Sequence, residues 1–418
     1  MGAIEHIKEC RSCGCKTLIP IISLGEHHIS NFIRFEEEQG IKVPLNLILC
    51  NECKLLQLEH NAPDELMWGD HYWYKSGINS MIMNDLKDIV KNIEEYLELK
   101  EKDIVVDIGC NDGTMFNYYS KKDVMLVGFE PSKNVAREAQ SKAHKIINNF
   151  FNADAFRREF GNKKAKIITA ISMFYDLEDP NKFLRDIVSC LSEEGIFVIQ
   201  QNYVLSMLEQ NALDNICHEH RAYYSLGSLE HLLSKYGLEV FDVAVNDING
   251  GSIRTYIRIK HPLKMQSPEA KERLEHLRMK ERLKRLDTAK PYLDFAFRID
   301  ETKRKLMDFL KQEKARDKII CISGASTRGN TTLQYFGIGP DLITAIADKN
   351  PDKWGKKTVG SLIPITSPDE VAKLNPDYLL VLIWYFFDEV KRNKEPGKKF
   401  ILPLPEFKVI ERGLSEFS

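Results

Sequence analysis

The stretch from Ile104 to Thr114, IVVDIGCNDGT, constrains the fold of this chain more than any other. An apolar, β-branched run followed by Asp107 and two nearby glycines is typical of a buried parallel strand, a tight turn and a helix start. The next predicted strand, MLVGFE, ends at Glu130, about 20 residues after Gly109. There an acidic side chain can accept hydrogen bonds from the hydroxyls of an adenosine ribose. The pattern predicts a nucleotide-cofactor site in an α/β domain.

The residues of this turn favour one cofactor over another. A dinucleotide pyrophosphate is typically bound by GxGxxG, whereas here Asn111 and Asp112 stand between Gly109 and Gly113. The Asp107 and Asp112 carboxylates suit a cation better than a phosphate. We therefore predict S-adenosylmethionine (SAM), which carries an amino group and a sulfonium, in preference to NAD. A tight strand-to-helix turn that binds no ligand is the alternative.

Strand and helix patterns alternate around the turn. Helical periodicity runs from Met81 to Leu99, and after the turn strands alternate with helices as far as GIFVIQQ. This rhythm predicts a doubly wound, mostly parallel sheet with ligands at the carboxyl ends of its strands. The residues expected to bind the cofactor there are Asp107, Gly109, Asn111, Asp112, Gly113, Glu130, Phe151, Asn152, Ser172 and Met173.

The composition limits the kinds of partner. Of 418 residues, 43% are hydrophobic and 29% charged, as in an ordinary globular protein of two or three domains. A net charge of -2 gives no reason to expect nucleic-acid or membrane binding. No apolar run approaches the roughly 18 residues of a spanning helix, and the N-terminus lacks a signal-peptide core. We expect a cytoplasmic monomer or homodimer without nucleic-acid or membrane partners.

Four of the nine cysteines form two CxxC pairs, Cys10 with Cys13 and Cys50 with Cys53. Four thiolates satisfy tetrahedral zinc and leave no position open for water, so the predicted metal site is structural. Two alternatives remain. Cys15 could replace Cys13 as a ligand, and the long gap between the pairs leaves room for one pair not to bind metal.

An aromatic and polar segment, HYWYKSG, precedes the first helix of the predicted α/β domain. Tyr72, Trp73 and Tyr74 are more aromatic surface than a linker needs. The segment is therefore predicted either to cover a pocket as a lid or to bury a domain junction.

A histidine-rich segment, NICHEHRAYYSL, runs from Asn215 to Leu226. On a helix His218, Glu219 and His220 would point in three directions, so the segment does not match the HExxH zinc motif. On an extended loop the two histidines share one side, which allows a base with an orienting carboxylate. A polar loop with satisfied hydrogen bonds is the alternative.

The C-terminal part repeats the opening pattern. Residues 267–318 predict a helical connector with mixed charges, not a nucleic-acid patch. IICISGASTRGNT then combines a strand, two glycines and a helix, and Asp348 ends the next predicted strand. In this second unit of Rossmann type, Ser326, Thr327 and Arg328 could hold a pyrophosphate through backbone amides and one cation. A structural repeat without a ligand is the alternative.

Taken together, these motifs resemble the sugar C-methyltransferase family, SAM-dependent enzymes that methylate a carbon of a nucleotide-linked 4-keto-deoxy sugar. The similarity spans the CxxC pairs, YxYxSG, DIGCNDGT, FEPS, HEHRAYYS, NGGS, GASTRGNT, ADKNPDKWG and ILPLPEF, in that order. It implies an α/β protein of three domains. These are a zinc-binding domain (1–68), a class I SAM methyltransferase domain with a Rossmann-like fold (69–262), and a helical connector with a second Rossmann-like domain that supports the nucleotide sugar (263–418).

The resemblance also implies roles for individual residues. A base would remove a proton next to the ketone, and the enolate would then attack the methyl group. His220 is the implied base, Glu219 its partner or a sugar contact, and Tyr72 or Tyr74 a contact to the enolate or sugar. His218 is a further catalytic candidate. The residues expected to bind the substrate are Tyr223, Tyr224, Ser326, Thr327, Arg328 and Asn330.

Two positions depart from the family pattern. Cys217 stands directly before HEH, where characterised members tend to have Tyr. Asp176 follows the fourth strand, where they tend to have His. Both positions lie near the reacting sugar in the family, so the substrate, or the group that protonates its oxygen, can differ from the known antibiotic-sugar cases.

We therefore expect a SAM-dependent C-methyltransferase for branched-chain deoxysugar biosynthesis. One alternative is an O- or N-methyltransferase acting on a nucleotide sugar. Another is a nucleotide-sugar binding protein with a degenerate SAM site, which the intact Asp107, Gly109, Gly113 and Glu130 argue against. A hydride-transferring oxidoreductase is a further alternative if the C-terminal loop binds NAD.

Overall fold

Three β-sheets of four, seven and six strands organise the protein. The structure is a computed structural model that describes residues 4–68, 74–121, 123–387 and 399–411. Tyr72 and Trp73 of the aromatic segment lie outside the described residues. Within these ranges, no helix is both long and apolar enough to cross a membrane.

The N-terminal domain is a small antiparallel sheet that carries the two cysteine turns. Its elements are β1 (Glu5–His6), β2 (Leu18–His28), β3 (Phe32–Ile33), β4 (Lys42–Cys50), β5 (Leu56–Leu58), β6 (His60–Asn61) and α1 (Asp64–Met67). Buried and partly exposed residues alternate along most of β4, because one face of the sheet packs on the rest of the protein. Cys50 ends β4, so the strand delivers one cysteine pair to the edge of the sheet.

The central domain contains eight further strands. They are β7 (Ile104–Ile108), β8 (Met125–Phe129), β9 (Lys145–Ile147), β10 (Ala165–Ile171), β11 (Leu191–Asn202), β12 (Ala222–Tyr223), β13 (Leu238–Asn246) and β14 (Ser252–Ile259). All except β12 form one sheet in the order β13-β14-β11-β10-β7-β8-β9. Strands β7 to β11 run parallel, and β14 and β13 are antiparallel at one edge. This confirms the predicted doubly wound, mostly parallel sheet.

Helices cover both faces of this sheet, which is why every residue of β7 is buried. They are α2 (Ser80–Tyr96), α3 (Lys133–Ala139), α4 (Ala153–Phe160), α5 (Pro180–Cys190), α6 (Val204–Glu209) and α7 (Leu226–Ser234). Asn79 starts α2 because its side chain accepts hydrogen bonds from the free amides of Met81 and Ile82. Asp179 caps α5 in the same way and is followed by Pro180, whose fixed φ suits the first helical position.

The C-terminal domain follows a helical connector. Its elements are α8 (Pro268–Leu283), α9 (Lys290–Lys314), β15 (Ile320–Ser323), α10 (Thr327–Phe336), β16 (Ile346–Ala347), β17 (Lys357–Thr358), β18 (Ile365–Thr366), α11 (Pro368–Lys373), β19 (Tyr378–Leu380), β20 (Lys399–Leu402) and β21 (Lys408–Glu411). The sheet order is β18-β16-β15-β19-β20-β21, with only β21 antiparallel to its neighbour. The predicted second Rossmann-like unit is therefore present.

Strand pairing joins the N-terminal domain to both other domains. β12 extends the N-terminal sheet beside β5, where Tyr223 is opposite Leu56. β17 of the C-terminal domain pairs with β3, where Thr358 is opposite Phe32. The sequence analysis predicted neither pairing, because both strands are two residues long and join segments that are far apart in the chain.

The turn after β7 depends on a glycine in the left-handed region. Gly113 has φ +74° and ψ +15°, a conformation that an L side chain adopts only with strain. A Cβ at this position would also lie 3.1 Å from the Cα of Ala139, at the end of α3. The turn and α3 therefore pack in direct backbone contact.

We expect Gly113→Ala to lower the free energy of unfolding by about 2–4 kcal/mol, through backbone strain and overpacking together. Gly337→Ala is the matched control, because Gly337 has φ +72° and open space where its Cβ would lie. Its free energy of unfolding should fall by about 1 kcal/mol, because only backbone strain is added. Urea unfolding measures both variants, and equal losses would show that the contact with Ala139 contributes nothing.

Candidate functional site

One cavity of about 850 Å³ is lined by residues of all three domains. It lies at the carboxyl ends of β7, β8 and β10, where open α/β sheets bind their ligands. The same cavity reaches the turn after β15 in the C-terminal domain, and Asn31 and Phe32 contribute from the N-terminal domain. The two turns that the sequence singled out therefore face one space.

The first of these turns is closed by Glu130, which directly follows β8. Its carboxylate accepts hydrogen bonds from the backbone amides of Asn111, at 2.9 Å, and Ser132, at 2.8 Å. Burial raises the pKa of Glu130, and these backbone hydrogen bonds oppose the rise. Glu130, Gly109 and Asn111 all line the cavity, so the turn presents an acidic acceptor to a ligand.

Asp107 is the second acidic group of this turn. Thr169 of β10 donates its hydroxyl to the Asp107 carboxylate at 2.6 Å. Burial raises the pKa of Asp107 to about 7, Thr169 counteracts this, and the nearby Glu130 charge adds to it. Because a bound cation would favour the ionised form, this cavity-lining carboxylate suits a positively charged ligand group.

Asn111 and Asp112 hold the end of the aromatic segment over the turn. The side-chain oxygen of Asn111 accepts from the Ser76 amide at 2.9 Å, and its amide group donates to the Tyr74 carbonyl at 3.0 Å. Asp112 accepts from the Gly77 amide at 3.0 Å. We call residues 74–77 the cover; in it, Tyr74 lines the cavity and is 45% exposed. The cover therefore lies on the turn beside the cavity; whether the segment acts as a lid, one of the two alternatives that the sequence left open, stays a prediction.

The charge of Asp112 is balanced within the protein. Thr114 donates to its carboxylate at 2.7 Å, and the Lys142 ammonium lies 3.7 Å away. We expected this carboxylate to face a cationic cofactor, but the structure turns it towards the cover. Among the other predicted cofactor residues, Asn152 caps α4 by accepting from the Ala155 amide at 2.8 Å. Those that line the cavity are Phe151, Ser172 and Met173.

His220 is oriented by a main-chain carbonyl. Its Nδ1 lies 2.8 Å from the Asn215 carbonyl oxygen. Because a carbonyl can only accept, Nδ1 carries the proton and Nε2 keeps its lone pair. Burial lowers the pKa of His220 to about 3, and the Arg328 charge contributes. The edge of the Tyr175 ring packs against the imidazole, with centroids 4.4 Å apart. His220 is thus an unprotonated base in the cavity wall.

Three neighbours of His220 are placed in the interior. The Nε2 of His218 lies 3.1 Å from the Val43 carbonyl, so this histidine anchors the segment to β4. Tyr223 donates its hydroxyl to Asn215 at 3.2 Å, and Tyr224 is 1% exposed. We expected His218 in catalysis and both tyrosines at the substrate. The reason for the difference is β12, which draws this part of the segment into the N-terminal sheet.

The two positions that depart from the family pattern lie in the cavity wall together with Glu219. Burial raises the pKa of the Cys217 thiol well above its usual range, so it stays protonated. Asp176 ends the 3-10 turn Phe174–Asp176 that follows β10. One buried oxygen of Asp176 and one of Glu219 have no hydrogen-bond partner among the described residues.

The turn after β15 repeats the geometry of the first turn. The Ala325 amide donates to the Asp348 carboxylate at 2.8 Å, as the Asn111 amide does to Glu130. Ser326 caps α10, and both Ser326 and Thr327 line the cavity. The start of α10 thus lies at the cavity, and a phosphate-binding role for it stays a prediction.

Arg328 is bound by the central domain. Its Nη2 lies 2.6 Å from the Asp214 carboxylate, and the same nitrogen donates to the Asn215 side chain. It also reaches the Asn249 carbonyl at 3.3 Å, and its guanidinium lies over the Tyr385 ring. We expected Arg328 to bind phosphate, but its donors are directed at protein groups. It ties α10 to the loop that orients His220.

Asn330, another residue expected to bind the substrate, is fully buried. Its side-chain amide donates to the Asn31 carbonyl at 3.0 Å. Like Arg328, it connects α10 to a neighbouring domain.

The four cysteines of the CxxC pairs converge on one point. Their Sγ atoms all lie within 4.8 Å of one another, and three of the four residues are buried. Zn–S bonds of about 2.3 Å place the sulfurs of a tetrahedral site roughly 3.8 Å apart, so the cluster fits zinc. Cys15 is not in the cluster, and its sulfur contacts Thr17. The zinc site is structural, since four thiolates leave no open position.

The turn after β7 fits SAM. Glu130 offers an acceptor at the ribose position, Asp107 a carboxylate for a cation, and no GxGxxG is present for a pyrophosphate. Together with the sheet order, this site defines the protein as a SAM-dependent methyltransferase.

Known protein families match the chain in three consecutive parts. Residues 10–68 match a zinc-binding domain, residues 82–243 a methyltransferase domain, and residues 247–405 the C-methyltransferase C-terminal domain. The chain is also 29% identical over 416 residues to the C-methyltransferase NovU of Streptomyces niveus, covering 97% of this chain and 98% of that protein. The chain is therefore similar to C-methyltransferases over nearly its whole length, and it is a SAM-dependent methyltransferase that methylates carbon.

Other similarities are confined to part of the chain. It is 24% identical over 145 residues to the carboxy-S-adenosyl-L-methionine synthase of Nautilia profundicola, covering 34% of this chain and 58% of that one. The plantazolicin methyltransferase BpumL in complex with SAH is 17% identical, with a TM-score of 0.32, covering 46% and 77% of the two chains. The mycolic acid cyclopropane synthase CmaA1 is 16% identical, also with a TM-score of 0.32, covering 42% and 69%.

Two functional residues escaped the sequence analysis. The Asn215 carbonyl orients His220, but a backbone acceptor five residues away gives no signal in a sequence. Asp348 closes the second turn. Its position at the end of a predicted strand, matching that of Glu130, was the signal that could have placed it in the site.

We expect Cys50→Ser to reduce bound zinc and lower the melting temperature, because three thiolates hold the metal less tightly than four. Cys15→Ser is the matched control and should keep one zinc per chain. Elemental analysis and thermal unfolding measure both effects. Loss of zinc from the Cys15 variant instead would assign the fourth ligand to Cys15.

Glu130→Gln should weaken SAH binding about 10- to 100-fold, because a charge-assisted acceptor is lost and an NH₂ group faces a backbone amide. Asp348→Asn makes the same change in the second turn and should leave SAH affinity unchanged. Isothermal titration calorimetry measures both. A larger effect from Asp348→Asn would place the cofactor in the C-terminal turn.

Proposed function

We propose that the enzyme methylates a carbon next to the ketone of a nucleotide-linked 4-keto-deoxy sugar, through an enolate. The observation that carries this proposal is the state of His220. It is an unprotonated imidazole with a free Nε2 lone pair, in the same cavity as the SAM turn. Methylation of carbon requires removal of a C–H proton, whereas an alcohol or amine can attack with a weaker base or none.

The extent of the cavity supports a nucleotide-linked substrate. Beyond His220 it continues to Ser326 and Thr327 at the start of α10, and Lys349 and Lys353 also line it. The Lys353 ammonium donates to the Ala325 carbonyl at 2.7 Å and lies 3.3 Å from the Asp348 carboxylate, which leaves one of its three donors for a ligand. Helix N-termini and lysines are typical partners of phosphate. We infer that the diphosphate lies near α10 and the sugar near His220, between the two turns.

Different residues of the chain have different roles in this reaction. Asn215 holds His220 with Nε2 unprotonated, and Nε2 removes the proton next to the ketone. SAM supplies an electrophilic methyl group when bound. Glu130 and Asp107 would orient the cofactor, and the cover lies over the turn that would hold it. Arg328 keeps the Asp214–Asn215 loop in place. A base with so low a pKa is weak, so stabilisation of the developing oxyanion is essential.

The substrate class is tested with TDP-, GDP-, UDP- and CDP-linked 4-keto-deoxy sugars, incubated with the protein in D₂O with and without SAM. NMR and mass spectrometry should detect a methyl group on carbon, and deuterium at that carbon when SAM is absent. A methyl group on oxygen or nitrogen without exchange would favour the alternative of an O- or N-methyltransferase. No reaction with any of these sugars would contradict the proposal.

His220→Asn should lower the exchange rate about 10²–10⁴-fold and leave SAH affinity nearly unchanged, since only the proton acceptor is lost. His218→Gln is the matched control, because Gln can still donate to the Val43 carbonyl; exchange should persist. Because the pKa of His220 is about 3, lowering the pH from 8 to 5 should not lower the wild-type exchange rate. An ordinary histidine would become protonated over this range, and the rate would fall. Such a fall would argue against this geometry.

A further inference from the structure

Asp176 and Glu219 are carboxyl groups of the cavity wall to which the mechanism above gives no role. Asp176 comes from the 3-10 turn after β10, and Glu219 is the neighbour of the base in the chain. Each has one buried oxygen without a hydrogen-bond partner among the described residues. An unpartnered buried acceptor is costly, so the pair is expected to have a ligand or a proton.

The Arg221 guanidinium is bound mainly by groups outside this pair. The Arg221 guanidinium lies 2.5 Å from Asp64 and 3.6 Å from Glu178, and it donates to the Ala62 carbonyl at 3.1 Å. It reaches only the backbone oxygen of Asp176, at 3.5 Å. The ionisable groups around the pair are Tyr175, Glu178, Cys217, His220, Arg221, Tyr223, Asp64 and Arg328. Among the described residues, no ion pair involves Asp176 or Glu219.

Two buried carboxyl groups that repel each other do not both ionise at neutral pH. Burial raises the pKa of Asp176 well above its usual range, and the Glu219 charge raises it further, against the opposing Arg221. Burial raises the pKa of Glu219 as well, while its own backbone amide and the Cys217 thiol oppose the rise through hydrogen bonds. One proton therefore stays on the pair, and a protonated carboxyl group in a buried site is a strong hydrogen-bond donor.

The pair lies beside the base. Glu219 precedes His220 in the chain, and Tyr175, which precedes Asp176, packs its ring against the imidazole with centroids 4.4 Å apart. A carbon presented to His220 would therefore lie in the same cavity as this pair, where its neighbouring carbonyl oxygen needs a hydrogen-bond donor. His220 is a weak base that needs such a donor.

We propose that Asp176 and Glu219 share one proton and donate it as a hydrogen bond to the carbonyl oxygen next to the carbon that His220 deprotonates. The proposal rests on the proposed function. The donor stabilises the oxyanion while negative charge develops on it, and the proton stays with the pair.

The first test measures the proton itself and needs no substrate. Infrared difference spectra between wild type and Asp176→Asn at neutral pH should show the C=O stretch of a protonated carboxyl group in wild type. If both carboxyls are ionised in wild type, the proposal is overturned, whatever the enzyme methylates.

The second test uses deuterium exchange into the sugar across a range of pH. The wild-type rate should fall at alkaline pH as the pair loses its proton. Asp176→Asn keeps a donor that does not titrate, so its rate should stay within about tenfold of wild type and the alkaline fall should disappear. Asp176→Leu removes the donor and should lower the exchange rate about 10²–10³-fold.

Glu219→Gln provides a check that does not alter Asp176. Removing the Glu219 charge should let Asp176 ionise more easily, so the alkaline fall should move to lower pH. Equal losses in the Asn and Leu variants of Asp176, or an alkaline fall that neither Asp176→Asn nor Glu219→Gln changes, would contradict the proposal. A wild-type enzyme that shows the protonated carboxyl but exchanges no sugar proton would instead reject the proposed function.

Discussion

The contact on which the site depends is the ion pair between Arg328 and Asp214. Both side chains are largely buried, and the guanidinium also binds the Asn215 side chain. Breaking a buried ion pair by removing one partner costs about 3–5 kcal/mol, because an unpaired charge stays behind. Here the loss of the ion pair would also affect the position of His220. The same loop supplies the carbonyl that orients His220, so the C-terminal domain controls the geometry of the proposed base in the central domain.

The two Rossmann-like domains close their first turn in the same way and differ in the residues that follow it. In each, an acidic residue after the second strand accepts a backbone hydrogen bond from the turn after the first: Glu130 from Asn111, and Asp348 from Ala325. In the first turn the following side chains hold the cover. In the second, the start of α10 faces the cavity and Arg328 reaches across to the central domain. One shared fold thus serves a cofactor in one domain and interdomain contact in the other.

The sequence predicted the features that depend on residues close together in the chain. The strands of the central sheet, the start of α2 and the CxxC cluster follow from periodicity, capping and metal chemistry. What escaped prediction depends on partners distant in the chain. Tyr223 is buried because β12 pairs with β5, and Arg328 is occupied because Asp214 folds against α10. The sequence motifs singled out both residues, but only the tertiary structure shows which groups each side chain contacts.

The pairings of the N-terminal sheet also limit how ligands can enter. Because β12 and β17 hydrogen-bond this sheet to both other domains, a hinge opening between those domains would have to break a strand pair. Among the described residues, three hydrogen bonds hold the backbone of the cover to the cofactor turn, and the Lys75 ammonium pairs with Glu138 of α3 at 2.7 Å. Peeling it away is the smaller step. Ligand entry is therefore expected to depend on release of the cover, with the three domains staying fixed around it.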